Sequence, residues 1–573
     1  MDTPPARAAR SADRLLLEGL RASAPRAAVL LVALLVDAVA ILLLPAALAR
    51  AVDAVLAGRP DSAAVPFLVL LAVTVLAETV SQFADPWCTA GSTASLSRRL
   101  ARHTLALGVP GSRWFNAGDL TGRLISSAPE SGAAPSAVIQ ATSGLLVSIG
   151  GLVALALIDP WLAVVLLLGV PVGTAAVRHF VRRVSRSAGD YQLAQAALLA
   201  KLLDAMGGIR TIHAAGTHPL EVERVLTPLT DLDRAGRAIW QSQRQVQWRT
   251  SLLLPALQIT VITVAGYGVG SGRTTPGQLL AAVGYTGLAL GFLGSAGSLL
   301  GLGRARAGAA RIAEVLAAPA LLPGSRPLPA GPGELVLREV TVVQDGRTLL
   351  DRVSLTVPAG RTLALVGRSG SGKSTLAALA GRLTDPDSGQ LLLDGVPLTE
   401  LRAEELRPAV AYAFARPALL GATVEDALRW TDEPRPSAEQ ARAAARSAEA
   451  DGFIRRLPGG YDCALTAAPM SGGEAQRLGI ARAIAHGGRL VVLDDATSSL
   501  DTATENRVDE ALERALAGCT RLVVAHRPGT AARADLVAWL DGGSVRALAP
   551  HAALWQDPHY RALFAPMPTG SES

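Results

Sequence analysis

The chain has 573 residues, which is too long for a single hydrophobic core. Half of the residues are apolar, 18% are charged, and the net charge is +6. Its arginines cluster beside apolar stretches, which fits the positive-inside rule of membrane proteins better than nucleic-acid binding. The three cysteines lack metal or redox spacing and indicate a reducing compartment.

The first half of the chain contains apolar stretches of about 20 residues, the length that crosses a bilayer. There are six, at residues 27–49, 64–83, 138–158, 161–177, 252–269 and 279–302. The first follows a polar, basic segment and is too long for a secretory signal, so it predicts a retained membrane helix and a cytoplasmic N-terminus. An even number of crossings returns the chain to the side on which it started, so the second half of the chain is also expected in the cytoplasm.

Two acidic residues, Asp37 and Glu78, lie inside apolar stretches. A charge at membrane depth is costly and usually faces a hydrated cavity or a partner. Asp37 is as compatible with contact to a polar or cationic cargo as with a structural contact between helices or a protonated side chain. For Glu78 the structural contact is favoured, because its helix could already be leaving the membrane there.

The predicted domain organisation follows from changes in composition along the chain. A cytoplasmic N-terminal segment (1–24) precedes an all-α, six-helix transmembrane domain with long cytoplasmic loops (25–315). A linker rich in Ala, Pro and Gly (316–332) leads to a soluble domain (333–566) and a short tail (567–573). Strand-like runs alternate with helical ones in the soluble domain, which predicts an α/β nucleotide-binding fold.

The decisive motif of the soluble domain is G-x-x-x-x-G-K-S, the phosphate-binding loop or Walker A motif. It follows an apolar strand at 362–366 and precedes a helical run at 375–383, the context that this motif requires. Its backbone N–H groups and the helix N-terminus are suited to a triphosphate. Lys373 is expected to reach the β- and γ-phosphates, and Ser374 to bind Mg²⁺. The predicted ATP-binding residues of the motif are Gly367, Ser369, Gly370, Ser371, Gly372, Lys373, Ser374 and Thr375.

A second motif lies at residues 489–495, where a buried hydrophobic run ends in two acids. This is the Walker B arrangement. Asp494 is expected to hold Mg²⁺, directly or through water. Asp495 stands where a general base would polarise the attacking water.

A third motif, Ser471-Gly472-Gly473-Glu474, precedes a helix-forming stretch. Ser and Gly at a helix N-terminus make an anion site, and Glu474 in the first turn is favourable for the helix dipole. The motif is weak evidence alone and strong evidence between a Walker A and a Walker B motif.

With these motifs, residues 27–564 resemble a half-transporter of the ATP-binding cassette (ABC) exporter family, with the membrane domain fused ahead of the ATPase. The resemblance implies that Ser471, Gly472, Gly473 and Glu474 form the signature motif, which closes on ATP held by the opposite subunit. It also implies that Asp501 belongs to the D-loop and that His526, after the strand that follows Walker B, contacts the γ-phosphate.

Four departures from the family pattern matter, and they leave the phosphate-holding residues intact. Asp495 occupies the position of the family's catalytic glutamate, and its side chain is one methylene shorter. Ala415 occupies the position of the Q-loop glutamine, and its side chain can neither bind Mg²⁺ nor orient water. Gln344 occupies the position of the aromatic residue that stacks on adenine in the family. The stretch 463–469 before the signature motif is short and lacks the family's acidic and glycine residues.

These departures predict that the chain's own Walker motifs bind ATP and hydrolyse it slowly, because a general base must reach its proton. A heterodimer with a second ABC half-transporter is favoured, in which this chain's signature motif completes the partner's active site. The alternative is a homodimer with slow turnover.

The expected activity is ATP-driven export by alternating access, with ATP and Mg²⁺ as cofactors, from a bacterial inner or plasma membrane. Both termini and the ATPase are expected in the cytoplasm. The cargo expected from the family is a lipophilic or amphipathic small molecule, lipid or peptide. A soluble cassette ATPase, a peptidase-coupled exporter and an importer fit the sequence less well, and an ATP-gated, non-transporting regulator remains an alternative.

Overall fold

The computed structural model describes residues 5–58, 64–291, 296–344, 346–431 and 434–564. It divides into two compact units, one of Met1–Leu105 with Phe115–Ala318 and one of Ala106–Trp114 with Pro319–Ser573. The boundary between Ala318 and Pro319 falls inside the predicted linker. The predicted tail, 567–573, lies outside the described residues, and the other predicted domain boundaries stay predictions.

Among the described residues before Pro319, regular structure is helical throughout. The segment 123–127 is a π-helix, and α4 belongs to the second unit. The α-helices are α1 (Pro5–Ala22), α2 (Ala24–Leu56), α3 (Val65–Ala106), α4 (Gly108–Trp114), α5 (Ala117–Gly122), α6 (Ala128–Gly132), α7 (Ala134–Ile158), α8 (Pro160–Gly207), α9 (Ile209–Ala215), α10 (His218–Leu226), α11 (Leu229–Gly270), α12 (Pro276–Leu290) and α13 (Ala296–Ala317).

Local signals place the ends of two of these helices. At the start of α8, Asp159 accepts a hydrogen bond from the Trp161 N–H at 3.0 Å, and Pro160 occupies the first helical position. At the start of α12, Thr275 and Gln278 form a reciprocal capping box. One apolar core of this unit joins residues of α2, α7, α8, α11 and α12.

By length and composition, three helical segments of the described chain could cross a membrane: Ala24–Leu56, Val65–Ala106 and Ala117–Ile158. Pro255–Gly270 is a shorter apolar helix. The predicted span 161–177 lies in α8 and 252–269 lies in α11. The span 279–302 covers parts of α12 and α13, and its residues 292–295 lie outside the description. Six crossings therefore stay a prediction.

The second unit contains two β-sheets. The four-stranded sheet has the order β2-β1-β4-β5, and its paired strands are antiparallel. The six-stranded sheet has the order β10-β9-β3-β8-β7-β6 and is parallel except for β10. The strands are β1 (Leu335–Gln344), β2 (Arg347–Val357), β3 (Thr362–Val366), β4 (Ser388–Leu393), β5 (Val396–Pro397), β6 (Val410–Phe414), β7 (Leu490–Asp494), β8 (Thr520–Val524), β9 (Leu536–Asp541) and β10 (Ser544–Ala549).

The two strands that precede the predicted phosphate and Mg²⁺ residues, β3 and β7, both pair with β8. Because parallel strands end at the same edge, the residues after them meet at the carboxyl edge of the sheet, where open α/β sheets bind ligands. The helices around the sheets, after α4, are α14 (Lys373–Ala380), α15 (Ala403–Ala409), α16 (Val424–Leu428), α17 (Ala438–Ser447), α18 (Asp451–Ile454), α19 (Gly472–His486), α20 (Thr502–Ala515), α21 (Pro528–Arg533), α22 (His551–Leu554) and α23 (Pro558–Ala562).

Candidate nucleotide site

The phosphate-binding loop connects β3, whose five residues are all buried, to α14. The predicted strand is observed over the same residues, and the helix begins at Lys373, two residues earlier than predicted. Gly372 has φ +97°, and a Cβ there would lie 2.6 Å from Leu350 Cδ2 and 2.8 Å from the Leu349 oxygen. Only glycine fits this turn, since both the backbone conformation and the space exclude a side chain.

Lys373 is buried in the loop, where its ammonium donates to the Gly367 oxygen at 2.8 Å and the Arg368 oxygen at 2.9 Å. Burial lowers the pKa of Lys373, and the carboxylates of Asp495 and Asp494 oppose this shift. The Ser371 hydroxyl is also buried and has no hydrogen-bond partner among the described residues. A buried cation beside an unpaired hydroxyl fits an anionic oxygen ligand.

Asp494 ends β7 and accepts a hydrogen bond from the Ser374 hydroxyl at 3.1 Å. Burial raises the pKa of Asp494, and the Asp495 charge adds to this increase, while Ser374, His526 and Lys373 oppose it. A carboxylate and a hydroxyl in contact are hard oxygen donors of the kind that Mg²⁺ prefers. The residues present therefore fit a magnesium ion held with a nucleotide.

Asp495 and His526 are in contact, with Nε2 of His526 3.1 Å from Oδ1 of Asp495. Asp495 has φ +53°, a left-handed conformation that aspartate tolerates better than most residues. Both residues line a cavity of about 170 Å³ that also includes Thr497, Glu505 and Arg527. The structure thus brings together the two residues predicted for catalysis.

The signature segment caps α19. Ser471 is the N-cap residue, its hydroxyl accepts from the Glu474 N–H at 3.3 Å, and its own N–H donates to Glu474 at 2.8 Å. That backbone N–H is the main reason why the pKa of Glu474 is below its usual value. Gly472 and Gly473 form the first turn. Among the described residues, no hydrogen bond joins this segment to the phosphate-binding loop of the same chain.

Asp501 is the N-cap residue of α20 and accepts from the Thr504 N–H at 3.0 Å, which lowers the pKa of Asp501. Gln344 ends β1, is half-buried and pairs with Arg347 across the turn to β2. Ala415 follows β6 and offers a backbone oxygen rather than a polar side chain.

Three functional candidates escaped the sequence analysis. Gln476 is fully buried and bonded to two other loops. The Glu505 carboxylate is buried and paired with Arg527, the residue that follows His526. A polar residue on the inward face of a predicted helix, as Gln476 is on α19, is the signal that could have revealed the first of them.

The fold and the site define an ATP-binding cassette ATPase joined to a helical transmembrane domain. The ABC transporter family model matches residues 350–498, and the model of the ABC transporter transmembrane region matches residues 28–292.

A curated relative, the ABC transporter ATP-binding protein RamA of Streptomyces coelicolor, is 45% identical over 530 residues, which cover 92% of this chain and 83% of the relative. An ATP-dependent lipid A-core flippase of Alkalilimnicola ehrlichii is 41% identical over 218 residues, 38% of this chain and 37% of the flippase. The solved structure of a bacterial Atm1-family ABC exporter with ATP bound has a TM-score of 0.79 at 22% identity, covers 97% of this chain and is itself covered to 99%.

The chain therefore belongs to the ABC transporter family, as its motifs predicted. It joins an ABC transporter transmembrane region and an ABC ATPase in one chain, so it is a membrane transporter subunit whose ATPase binds ATP and is coupled to transport. The predicted fold class, a helical transmembrane domain followed by an α/β ATPase, is confirmed.

Proposed function

We propose that this chain exports a lipophilic or amphipathic small molecule, lipid or peptide from the cytoplasm by alternating access. The contact between Ser374 and Asp494, beside buried Lys373 at the carboxyl edge of the sheet, is the observation that carries the proposal. A nucleotide can drive transport only through a difference in its affinity for two conformations, and a site assembled from separate segments provides that difference when it closes.

Within the chain's own site, residues 367–375 bind the phosphates, and Ser374 with Asp494 would hold Mg²⁺. Bound Mg²⁺ would neutralise charge on the phosphates. The Lys373 ammonium now donates to two loop carbonyl oxygens, so it lies inside the loop that would enclose the phosphates. Gln344, at the adenine position implied by the family, would contact the base without an aromatic face.

This chain's own site is proposed to hydrolyse ATP slowly. Asp495 is proposed to act as general base, and the His526 imidazole, whose Nε2 lies 3.1 Å from Oδ1 of Asp495, supports this role. Its carboxylate is one methylene shorter than a glutamate, and Ala415 contributes no side-chain donor or ligand. Both changes affect the activation of water and leave the contacts to phosphate in place.

The signature segment Ser471–Glu474 and the loop that ends at Asp501 would act on nucleotide held by a second half-transporter. A different partner chain is favoured over a second copy, because a chain with a weakened base can still complete an active site in a partner that has a strong one. The homodimer with slow turnover is the competing outcome.

The proposed location is a bacterial plasma membrane with the ATPase and both termini in the cytoplasm. The relative from Streptomyces supports a bacterial membrane, and the relative that carries the name of a lipid A-core flippase supports a lipid or amphipathic cargo. Residues 27–302 are rich in aliphatic and poor in aromatic side chains, which suits a lipophilic cargo.

The test reconstitutes the full-length chain in liposomes, alone and with a candidate partner half-transporter, with the ATPase facing outward. ATP-dependent uptake of a fluorescent phospholipid analogue and of a lipophilic cationic dye is measured beside phosphate release. We expect transport with the partner, its loss in Lys373→Ala, and weak phosphate release by the chain alone. Transport that persists in Lys373→Ala would contradict the ATP-driven mechanism, and brisk turnover by the chain alone that disappears in Asp495→Asn would favour the homodimer.

A further inference from the structure

Gln476 is a fully buried polar residue in the second turn of α19, directly after the signature segment. Only 1% of its surface is exposed, whereas its sequence neighbours Ala475 and Arg477 are partly exposed. A buried amide is costly unless its hydrogen bonds are made, so its partners indicate why a glutamine occupies this position.

The Gln476 amide joins three segments that are far apart in sequence. Its nitrogen donates to the Ala415 backbone oxygen at 2.7 Å and to the Ser498 hydroxyl at 3.0 Å. Its oxygen accepts from the Ser499 backbone N–H at 2.9 Å. Both N–H groups of the amide are therefore used, together with one of the two oxygen lone pairs.

The loop 498–501 is in contact with the signature segment at a second point. A Cβ on Gly473 would lie 3.2 Å from Leu500 Cδ2 and 3.3 Å from the Ser499 oxygen, so the first turn of α19 packs closely on this loop. On its other side, the Arg527 guanidinium donates to the Leu500 oxygen at 3.3 Å. The loop thus lies between the signature helix and the residue after His526.

We infer that Gln476 is a positioning residue that makes the signature segment, the loop 498–501 and the backbone at Ala415 move as one body. The inference rests on the proposed function, in which the signature segment acts on the partner's nucleotide. Gln476 would touch no nucleotide. It would act through Ser471–Gly473 and Asp501, whose approach to that nucleotide must occur together for the composite site to close.

This arrangement also gives Ala415 a role that its side chain cannot have. The Gln476 amide holds the backbone oxygen of residue 415, and any side chain at that position leaves this bond available. Loss of the glutamine expected at position 415 therefore removes a water-orienting group and keeps the mechanical connection to α19.

The test compares Gln476→Met with Arg482→Met in the full-length chain, reconstituted in liposomes together with the candidate partner half-transporter. Methionine matches the length of glutamine without its donors. Arg482 is a matched control because it bonds the same helix to the Ala418 oxygen at 2.8 Å, and among the described residues no hydrogen bond joins it to the loop 498–501. The measurements are ATPase kcat and KM, binding of a fluorescent ATP analogue, and hydrogen exchange at the Ser499 amide.

We expect Gln476→Met to lower kcat by about tenfold or more, since small displacements of a catalytic arrangement have large effects, while KM and analogue binding change by less than about twofold. Exchange at Ser499 should accelerate in Gln476→Met and stay unchanged in Arg482→Met. The milder Ser498→Ala removes one acceptor from an exposed loop position, should lower kcat less, and should be non-additive with Gln476→Met.

Parental kcat in Gln476→Met, or an equal loss of kcat in Arg482→Met, would overturn the inference. If Gln476→Met does not fold, Ser498→Ala alone decides, and an unchanged kcat with unchanged Ser499 exchange counts against the inference. Failure of the proposed function has a different signature, because Lys373→Ala would then retain transport whatever the Gln476 variants do.

Discussion

Replacing Asp495 with glutamate should accelerate ATP hydrolysis by this chain. Asp495 follows β7, and its Oδ1 lies 3.1 Å from Nε2 of His526. A glutamate extends the carboxylate by one C–C bond, about 1.5 Å, toward the space where attacking water would lie. Because a general base must come within hydrogen-bond reach of its proton, this distance decides whether the carboxylate acts.

The size of the effect follows from what a positioned base contributes. General base catalysis raises a reaction rate roughly 10²–10⁴-fold. Asp495→Glu restores the reach of the carboxylate but leaves alanine at position 415, so only part of this rate increase should be recovered. We therefore expect Asp495→Glu to raise kcat by about tenfold, which corresponds to about 1.4 kcal/mol of activation free energy. KM for ATP should change little, since Lys373 and residues 367–375 are unaltered.

The assay is phosphate release from the full-length chain in liposomes. Asp495→Asn is the matched control that keeps the side-chain length and removes the base, and it should fall below the parent. Lys373→Ala in the Asp495→Glu background should return the rate to baseline. A rate in Asp495→Glu that is equal to or below that of the parent would refute the reasoning, since it would mean that Asp495 already reaches its water.

Other predictions concern the support of the site. Arg527→Met leaves the buried Glu505 carboxylate without its cation and should lower the free energy of unfolding by about 2–3 kcal/mol. The measurement is the unfolding midpoint in detergent, which should fall in Arg527→Met and be partly restored when Glu505→Gln is added. Because burial raises the pKa of Asp494, acidification should protonate it earlier than an exposed aspartate and weaken Mg²⁺-dependent ATP binding, and Asp494→Asn should abolish this pH dependence. Gly372→Ala should weaken ATP binding by about 1–3 kcal/mol, whereas Gly395→Ala, with a similar positive φ but open space around the added carbon, should leave ATP binding unchanged.

The sequence predicted the parts of the site that depend on neighbouring residues. The apolar run 362–366 and the glycines after it specify β3 and its loop, and the acids at the end of β7 follow from one buried strand. The pairing of Asp495 with His526 was accessible too, because both follow parallel strands that end at the same edge.

The parts that the sequence did not predict depend on distant segments. Whether Gln476 is buried is decided by Ala415, 61 residues before it, and by Ser498, 22 residues after it. No local pattern encodes such contacts. For the same reason, the grouping of Ala106–Trp114 with the second unit was not predicted, since it depends on contacts such as the Leu321 N–H to the Ala106 oxygen at 3.3 Å.

The altered and retained residues of this chain divide by the nucleotide on which each is proposed to act. Asp495 and Ala415, which depart from the family pattern, would act on water at the chain's own site. Ser471–Gly473 and Gln476, which keep their capping and bridging hydrogen bonds, would act at the partner's site. A chain that turned over its own ATP briskly as one of two equal subunits would need both groups intact. Retention of one group beside loss of the other is therefore the physical argument for a partner that supplies the stronger base.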